Sequence, residues 1–118
     1  MSLTIYHNPG CSKSRKTLEL IQEAGVSPDI IDYLSEPPSA TRILQLADLL
    51  GVTVRELLRR NEADFKDAAD LPDFEDNAAL AAWLAAHPKV LERPIVVDDG
   101  SNKAVMGRPP ENVRDLLP

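Results

Sequence analysis

The sequence predicts an α/β domain built on a mixed sheet, with strands near both ends of the chain and helices between them. Three observations predict it. Short alternating or β-branched runs stand at 3–6, 28–34, 94–97 and 103–106. Helical periodicity runs from 12 to 24 and through the middle, and glycine or proline marks nearly every boundary. The order is β-α-β, then helices, then β-β-α. The length, 118 residues, fits one domain, 1–118, with a helical insertion of about 39–88 between the second and third strands.

Leu3-Thr4-Ile5-Tyr6 alternates as a short strand, and His7-Asn8-Pro9-Gly10 reads as the turn that closes it. From Ser12 the period changes. Leu18, Ile21 and Gln22 with Ala24 fit one helix face, and Gly25 stands where helices stop. Pro28 to Leu34 is a second strand, stopped by Pro37-Pro38. A crossover helix of this kind makes the two strands parallel neighbours. Ser39 is a helix N-cap before Ile43, Leu44, Leu46, Ala47 and Leu50, and Gly51 is the stop. Thr53 to Asn61 reads as a further helix with Leu57 and Leu58 inward, and the chain then turns at Leu71-Pro72-Asp73. Asp76 caps a helix through Ala79, Leu80, Trp83 and Leu84 that ends at His87-Pro88. Pro94 to Val97 is a strand, Asp98-Asp99-Gly100 a turn, and Lys103 to Met106 the hairpin partner. Pro110 opens a last helix carrying Val113, Leu116 and Leu117. This is the thioredoxin-type order with a helical insertion.

Composition narrows the function classes. Hydrophobic residues at 43% and charged residues at 27% are globular usage, which excludes a disordered chain. No apolar run approaches the roughly 20 residues that span a bilayer, so no membrane is expected. The N-terminus lacks a basic segment followed by an apolar stretch, so no signal peptide is expected. With one cysteine, there is no internal disulfide and no zinc site of several thiolates. A free thiol and no export signal predict the reducing cytoplasm. The net charge of -6 argues against nucleic-acid partners. That charge is unevenly spread: residues 62–76 hold seven acids against Lys66 alone, while 1–60 balance seven against seven. The acidic stretch reads as a solvated connecting segment, or else as a docking surface for a basic partner. The rest of the molecule is near neutral and has room for a positive site.

Cys11 lies between the first strand and the first helix, in His7-Asn8-Pro9-Gly10-Cys11-Ser12-Lys13-Ser14-Arg15. A thiol there faces the N–H groups of a helix N-terminus, where partial positive charge favours thiolate. Lys13, Arg15 and His7 add cations or donors. The plain alternative is a small buried hydrophobe. Position 14 is Ser, so there is no C-x-x-C pair, and Thr17 stands where a phosphatase loop needs Arg. His7 and Cys11 alone make a poor metal site. A Cys–His pair with His87 is possible in principle, although His87 before Pro88 reads as a helix end. A lone reactive thiolate has no internal resolving partner, so electrons must come from another molecule. Glutathione or a glutaredoxin-type protein is the natural source.

Arginine outnumbers lysine in an acidic chain, eight to five. Arg59, Arg93 and Arg108 sit in constrained settings, the last two directly before proline. Singly, each reads as a surface ion pair. Together with a helix N-terminus and a thiolate they suggest a site for a tetrahedral oxyanion, since guanidinium binds oxyanions bidentately.

Four segments in order resemble the ArsC family of arsenate reductases, the glutaredoxin-coupled kind. They are His7-Asn8-Pro9-x-Cys11 with Ser14-Arg15, then Val54-Arg55-x-Leu57-Leu58-Arg59-x-Asn61, then Arg93-Pro94-Ile95-Val96-Val97, then Gly107-Arg108-Pro109. The resemblance runs over nearly the whole chain. It implies a thioredoxin-like fold with a helical insertion, a cis peptide at Pro94 and a helical setting for Arg59. It implies Cys11 as nucleophile with Ser14 and His7 assisting, Ser14 by a hydrogen bond to the sulfur. It implies Arg59, Arg93 and Arg108 as ligands of arsenate, glutathione as co-substrate with no bound cofactor or metal, glutaredoxin as partner, and a monomer. Ser12-Lys13 follows the nucleophile where well-established arsenate reductases carry Gly-Thr, and the chain stops soon after its last helix, so it is closest to a short branch. Two rival classes share these features: Spx-type regulators that bind RNA polymerase, which commonly carry the C-x-x-C switch that Ser14 removes, and glutathione-linked thiol oxidoreductases with another substrate.

Overall fold

Strand β1, Leu3–His7, is buried along its whole length and organises the sheet around it. The structure is a computed structural model that describes residues 2–118. The chain forms two compact units, one of Met1–Glu36 with Arg93–Pro118 and one of Pro37–Glu92.

In the first unit, β2 (Asp29–Asp32), β3 (Ile95–Asp98) and β4 (Lys103–Met106) complete a sheet in the order β2-β1-β3-β4. β1 runs parallel to β2, as the crossover helix predicts, and antiparallel to β3, which pairs antiparallel with β4. Helix α1, Ser12–Glu23, makes the crossover. The final segment, Pro110–Leu116, is a 3-10 helix rather than an α-helix, and it packs on α1 and β4. Leu3, Ile5, Leu20, Ile21, Val96, Val113 and Leu116 form the core here.

The buried face of α1 differs from the one its apolar residues suggest. Ser14, Thr17, Leu20 and Ile21 are buried, while Gln22 and Ala24 are exposed. The reason is hydrogen bonding. Thr17 Oγ1 donates to the Lys13 carbonyl at 2.8 Å, and Ser14 Oγ is bonded on two sides. Satisfied polar groups can be buried at little cost, so an apolar pattern cannot reveal them.

In the second unit, α2 (Ala40–Leu50) starts as predicted: Ser39 Oγ accepts from Arg42 N at 3.1 Å. It stops at Gly51, whose φ of 71° is left-handed. The helix expected over Thr53–Asn61 is only a 3-10 turn, Val54–Leu57, opened by a capping box of Thr53 and Glu56. Its continuation is taken by another partner. Leu58 bridges Leu91, Glu92 N donates to Leu57 O at 2.7 Å, and Arg59 N donates to Val90 O at 2.7 Å. Arg59 therefore lies past extended Leu58 and outside any helix. A single turn, α3 (Ala63–Lys66), follows within the acidic stretch. The turn expected at 71–73 falls at 74–75, where Asp73 Oδ1 accepts from Glu75 N. Helix α4, Asn77–Ala86, is capped by Asp76 and packs on α2.

Candidate active site

The sheet register places the site. Tyr6 opposes Ile95 and Ile95 opposes Met106. The end of β1, the start of β3 and the end of β4 therefore lie side by side. The turn after β1 carries Cys11, the residue before Pro94 is Arg93, and Arg108 follows Gly107 after β4. Three segments distant in sequence meet at one end of one sheet.

Cys11 is the N-cap of α1, with φ -101° and ψ 122°, and it is partly exposed. Its carbonyl accepts the first helical bond, from Arg15 N at 3.0 Å. The N–H groups of Ser14 and Lys13 and the Arg93 side chain favour the ionised sulfur. Arg108 Nη1 lies 3.9 Å from Cys11 Sγ and also donates to the Arg93 carbonyl at 3.1 Å. Both arginines precede cis prolines, Arg93-Pro94 and Arg108-Pro109; the second was not foreseen. Burial pushes the thiol up, but the Ser14 N–H, the Arg93 guanidinium and the Lys13 N–H outweigh it. The result lies below the ordinary thiol range, as a helix N-terminus with a cation should make it. Lys13 contributes its backbone to this. Arg15 donates from Nη1 to the Pro9 carbonyl at 2.9 Å and straps the turn.

Ser14 and His7 form a buried pair, with Ser14 Oγ 2.7 Å from His7 Nδ1. Ser14 Oγ also accepts from Asn8 N at 3.0 Å. Burial, the largest influence, lowers the His7 pKa below 6.5; Asp32 opposes this and Arg15 adds to it. His7 Nδ1 and the Ser14 hydroxyl are bonded to each other. The expected bond from the Ser14 hydroxyl to the sulfur is replaced by this one, and Ser14 reaches Cys11 through its backbone N–H instead.

Arg59 lies in the second unit. Its Nη1 donates to Glu92 Oε1 at 2.8 Å, and its Nε is 3.4 Å from Glu62 Oε1. His87 caps α4 with Nδ1 on the Trp83 carbonyl at 2.8 Å and its ring stacked on Trp83, as a helix end should be. Among the described residues, no group of three or more His, Cys, Asp or Glu could hold a metal ion. No helix among them is long and apolar enough to cross a membrane.

Asn8 and Gly107 stand within the motifs quoted above, but sequence reasoning gave neither a role of its own. Asn8 is the first residue of a Pro-Gly turn, a position where Asn bonds its own backbone, and that was the available signal. Gly107 had none. A Cβ there would come within 2.6 Å of Thr17 Oγ1 and 2.7 Å of Pro94 Cγ, a contact made only by folding.

A thioredoxin-like sheet thus carries one thiol with a lowered pKa at a helix N-terminus, beside Arg93 and Arg108. Similarity agrees with the geometry: the ArsC family model matches residues 6–116, and the chain belongs to that family. The uncharacterized protein YfgD of Escherichia coli K12 is 43% identical over 114 residues, covering 96% of this chain and 94% of that one. An arsenate reductase from Escherichia coli is 40% identical over 117 residues, covering 99% of this chain and 82% of that one. Among solved structures, an arsenate reductase from Vibrio cholerae superposes with a TM-score of 0.86 at 43% identity, covering 99% of this chain and 98% of that one.

Proposed function

We propose that this protein reduces arsenate to arsenite, with Cys11 as the nucleophile and glutathione and a glutaredoxin as electron source. The observation that carries the reading is the pair of guanidinium groups of Arg93 and Arg108 at the Cys11 sulfur. Membership of the ArsC family and whole-length similarity to arsenate reductases support the same choice.

The chemistry follows from charge. A thiolate and an arsenate oxyanion repel, and the two arginines neutralise that approach while offering oxygen ligands. The Cys11 thiolate attacks arsenic, an As–S bond forms and one oxygen leaves as water. Glutathione then attacks the Cys11 sulfur. The S–As bond breaks with its electron pair going to arsenic, which falls from As(V) to As(III) and leaves as arsenite. A Cys11–glutathione disulfide remains, and glutaredoxin reduces it. With one cysteine in the chain, the resolving thiol is necessarily external. His7 and Ser14 hold the nucleophile turn. Arg59, paired with Glu62 and Glu92, is a ligand on the resemblance alone.

The test is arsenate turnover with glutathione, glutaredoxin and its NADPH-linked recycling. Wild type should turn over and Cys11→Ser should not. Arg93→Lys should lose at least about tenfold in kcat/KM, because an ammonium cannot supply the guanidinium fork. An inactive wild type, or an active Cys11→Ser, sinks the proposal.

A further inference from the structure

Asn8 carries no charge, yet four hydrogen bonds converge on it. Its carbonyl accepts from Cys11 N at 3.0 Å and closes the turn Asn8-Pro9-Gly10-Cys11. Its side-chain Oδ1 accepts from Gly10 N at 2.9 Å. Its backbone N donates to Ser14 Oγ at 3.0 Å. Its Nδ2 donates to the hydroxyl of Tyr33 at 3.4 Å. Tyr33 is fully buried just past β2.

We propose that Asn8 is the positioning residue of the Cys11 sulfur, aiming it at the Lys13 and Ser14 N–H groups and at Arg93 by anchoring the turn to Tyr33. This rests on Cys11 being the reactive group. Residue type supports it. Gly10 N–H can only donate, so the partner must be an acceptor. The same side chain offers a donor to Tyr33, and an amide supplies both without charge. An aspartate would keep the bond to Gly10 and accept from Tyr33. It would also put a negative charge in the turn that carries the thiolate, which disfavours ionisation of the sulfur. An alanine would lose both side-chain bonds. The backbone bonds to Cys11 and Ser14 would then have to hold the turn unaided.

The action runs through direction rather than contact. A thiolate gains from N–H groups and guanidinium only when they point at it, and such bonds weaken steeply with misalignment. A turn free to swing gives up that alignment without unfolding the sheet. Tyr33 enters because it is buried directly after β2, the parallel partner of β1, so its hydroxyl fixes the turn against the sheet rather than against itself.

The experiment measures the rate of Cys11 alkylation by iodoacetamide against pH in wild type, Asn8→Ala, Asn8→Asp and Tyr33→Phe. This readout needs no arsenate, so the proposal can fail while arsenate reduction stands, and the reverse. The thiol midpoint should rise in all three variants, by about one pH unit in Asn8→Ala and more in Asn8→Asp, which is about a tenfold fall in thiolate at a pH below both midpoints. Tyr33→Phe keeps its buried ring and should shift in the same direction by less. Leu46→Ala, in the second unit, serves as a control for lost stability alone. A midpoint unchanged in Asn8→Ala overturns the proposal, as does a Leu46→Ala shift equal to it. Should Asn8→Ala not fold, Tyr33→Phe decides alone, and an unshifted midpoint there overturns the link to Tyr33.

Discussion

At Cys11, desolvation works against ionisation, while two helix N–H groups and a guanidinium work for it. The donors outweigh burial because a helix N-terminus and a guanidinium both favour the charged form. The thiolate should therefore persist to lower pH than in an ordinary cysteine, and alkylation should fall only as pH drops through that lowered midpoint. Arg93→Ala removes one donor and its charge, leaving the burial. Its midpoint should move up, so that at a pH below both midpoints it reacts several-fold more slowly than wild type. Iodoacetamide rates across pH 4–9 check this, and coincident profiles would refute the role of Arg93. His7 is also shifted downward, but there the shift favours the neutral form. Its folded pKa lies below 6.5, so the unfolded chain binds a proton that the folded one resists. Stability should then fall as pH falls from about 6.5 toward the lowered value. Urea midpoints across that window should slope in wild type and flatten in His7→Gln.

At the scale of elements, the acidic stretch changes meaning most. Its acids are partly structural. Asp76 caps α4, Asp73 closes a turn, Asp70 accepts from Trp83 Nε1 at 3.1 Å, and Glu62 meets Arg59. The Arg55–Glu75 ion pair at 2.7 Å is exposed and contributes little. The helix ends were legible because a cap needs only its own few residues: Ser39, Gly51 and Asp76 act as their spacing indicates. The end of the Val54–Leu57 turn was not legible, because the competing partner sits more than thirty residues away at Val90–Glu92. Gly107 belongs with this second kind. Gly107→Ala should force Thr17 or Pro94 to move and cost about 1–3 kcal/mol. It should also disturb Arg108, the next residue. Chemical denaturation measures the loss, and an unchanged midpoint means the close approach is not real.

At the scale of the whole molecule, each unit has its own core. In the second, Phe65 and Trp83 meet edge to face at 6.5 Å, Phe65 and Phe74 lie 6.2 Å apart, and Arg60 stands 5.2 Å over Phe74. With the Trp83–Asp70 bond, these contacts tie the 62–76 stretch to α4. Trp83→Ala should cost about 3–5 kcal/mol and open 62–76 to proteolysis before the strands of the first unit. Limited proteolysis with mass spectrometry reads the order of cleavage. Simultaneous cleavage throughout would mean that the aromatic cluster does not hold that segment.

The element order, the helix caps, the thiol at a helix N-terminus and the two Arg–Pro steps were determined by the sequence alone. Each depends on residues close in the chain and on backbone chemistry that acts locally. The meeting of Cys11, Arg93 and Arg108, the burial of Ser14 and His7 as a pair, the engagement of Arg59 by Glu62 and Glu92, and the need for Gly107 were decided by the tertiary structure. Those depend on strand register and on which partners satisfy buried polar groups, and neither is set until distant segments pack.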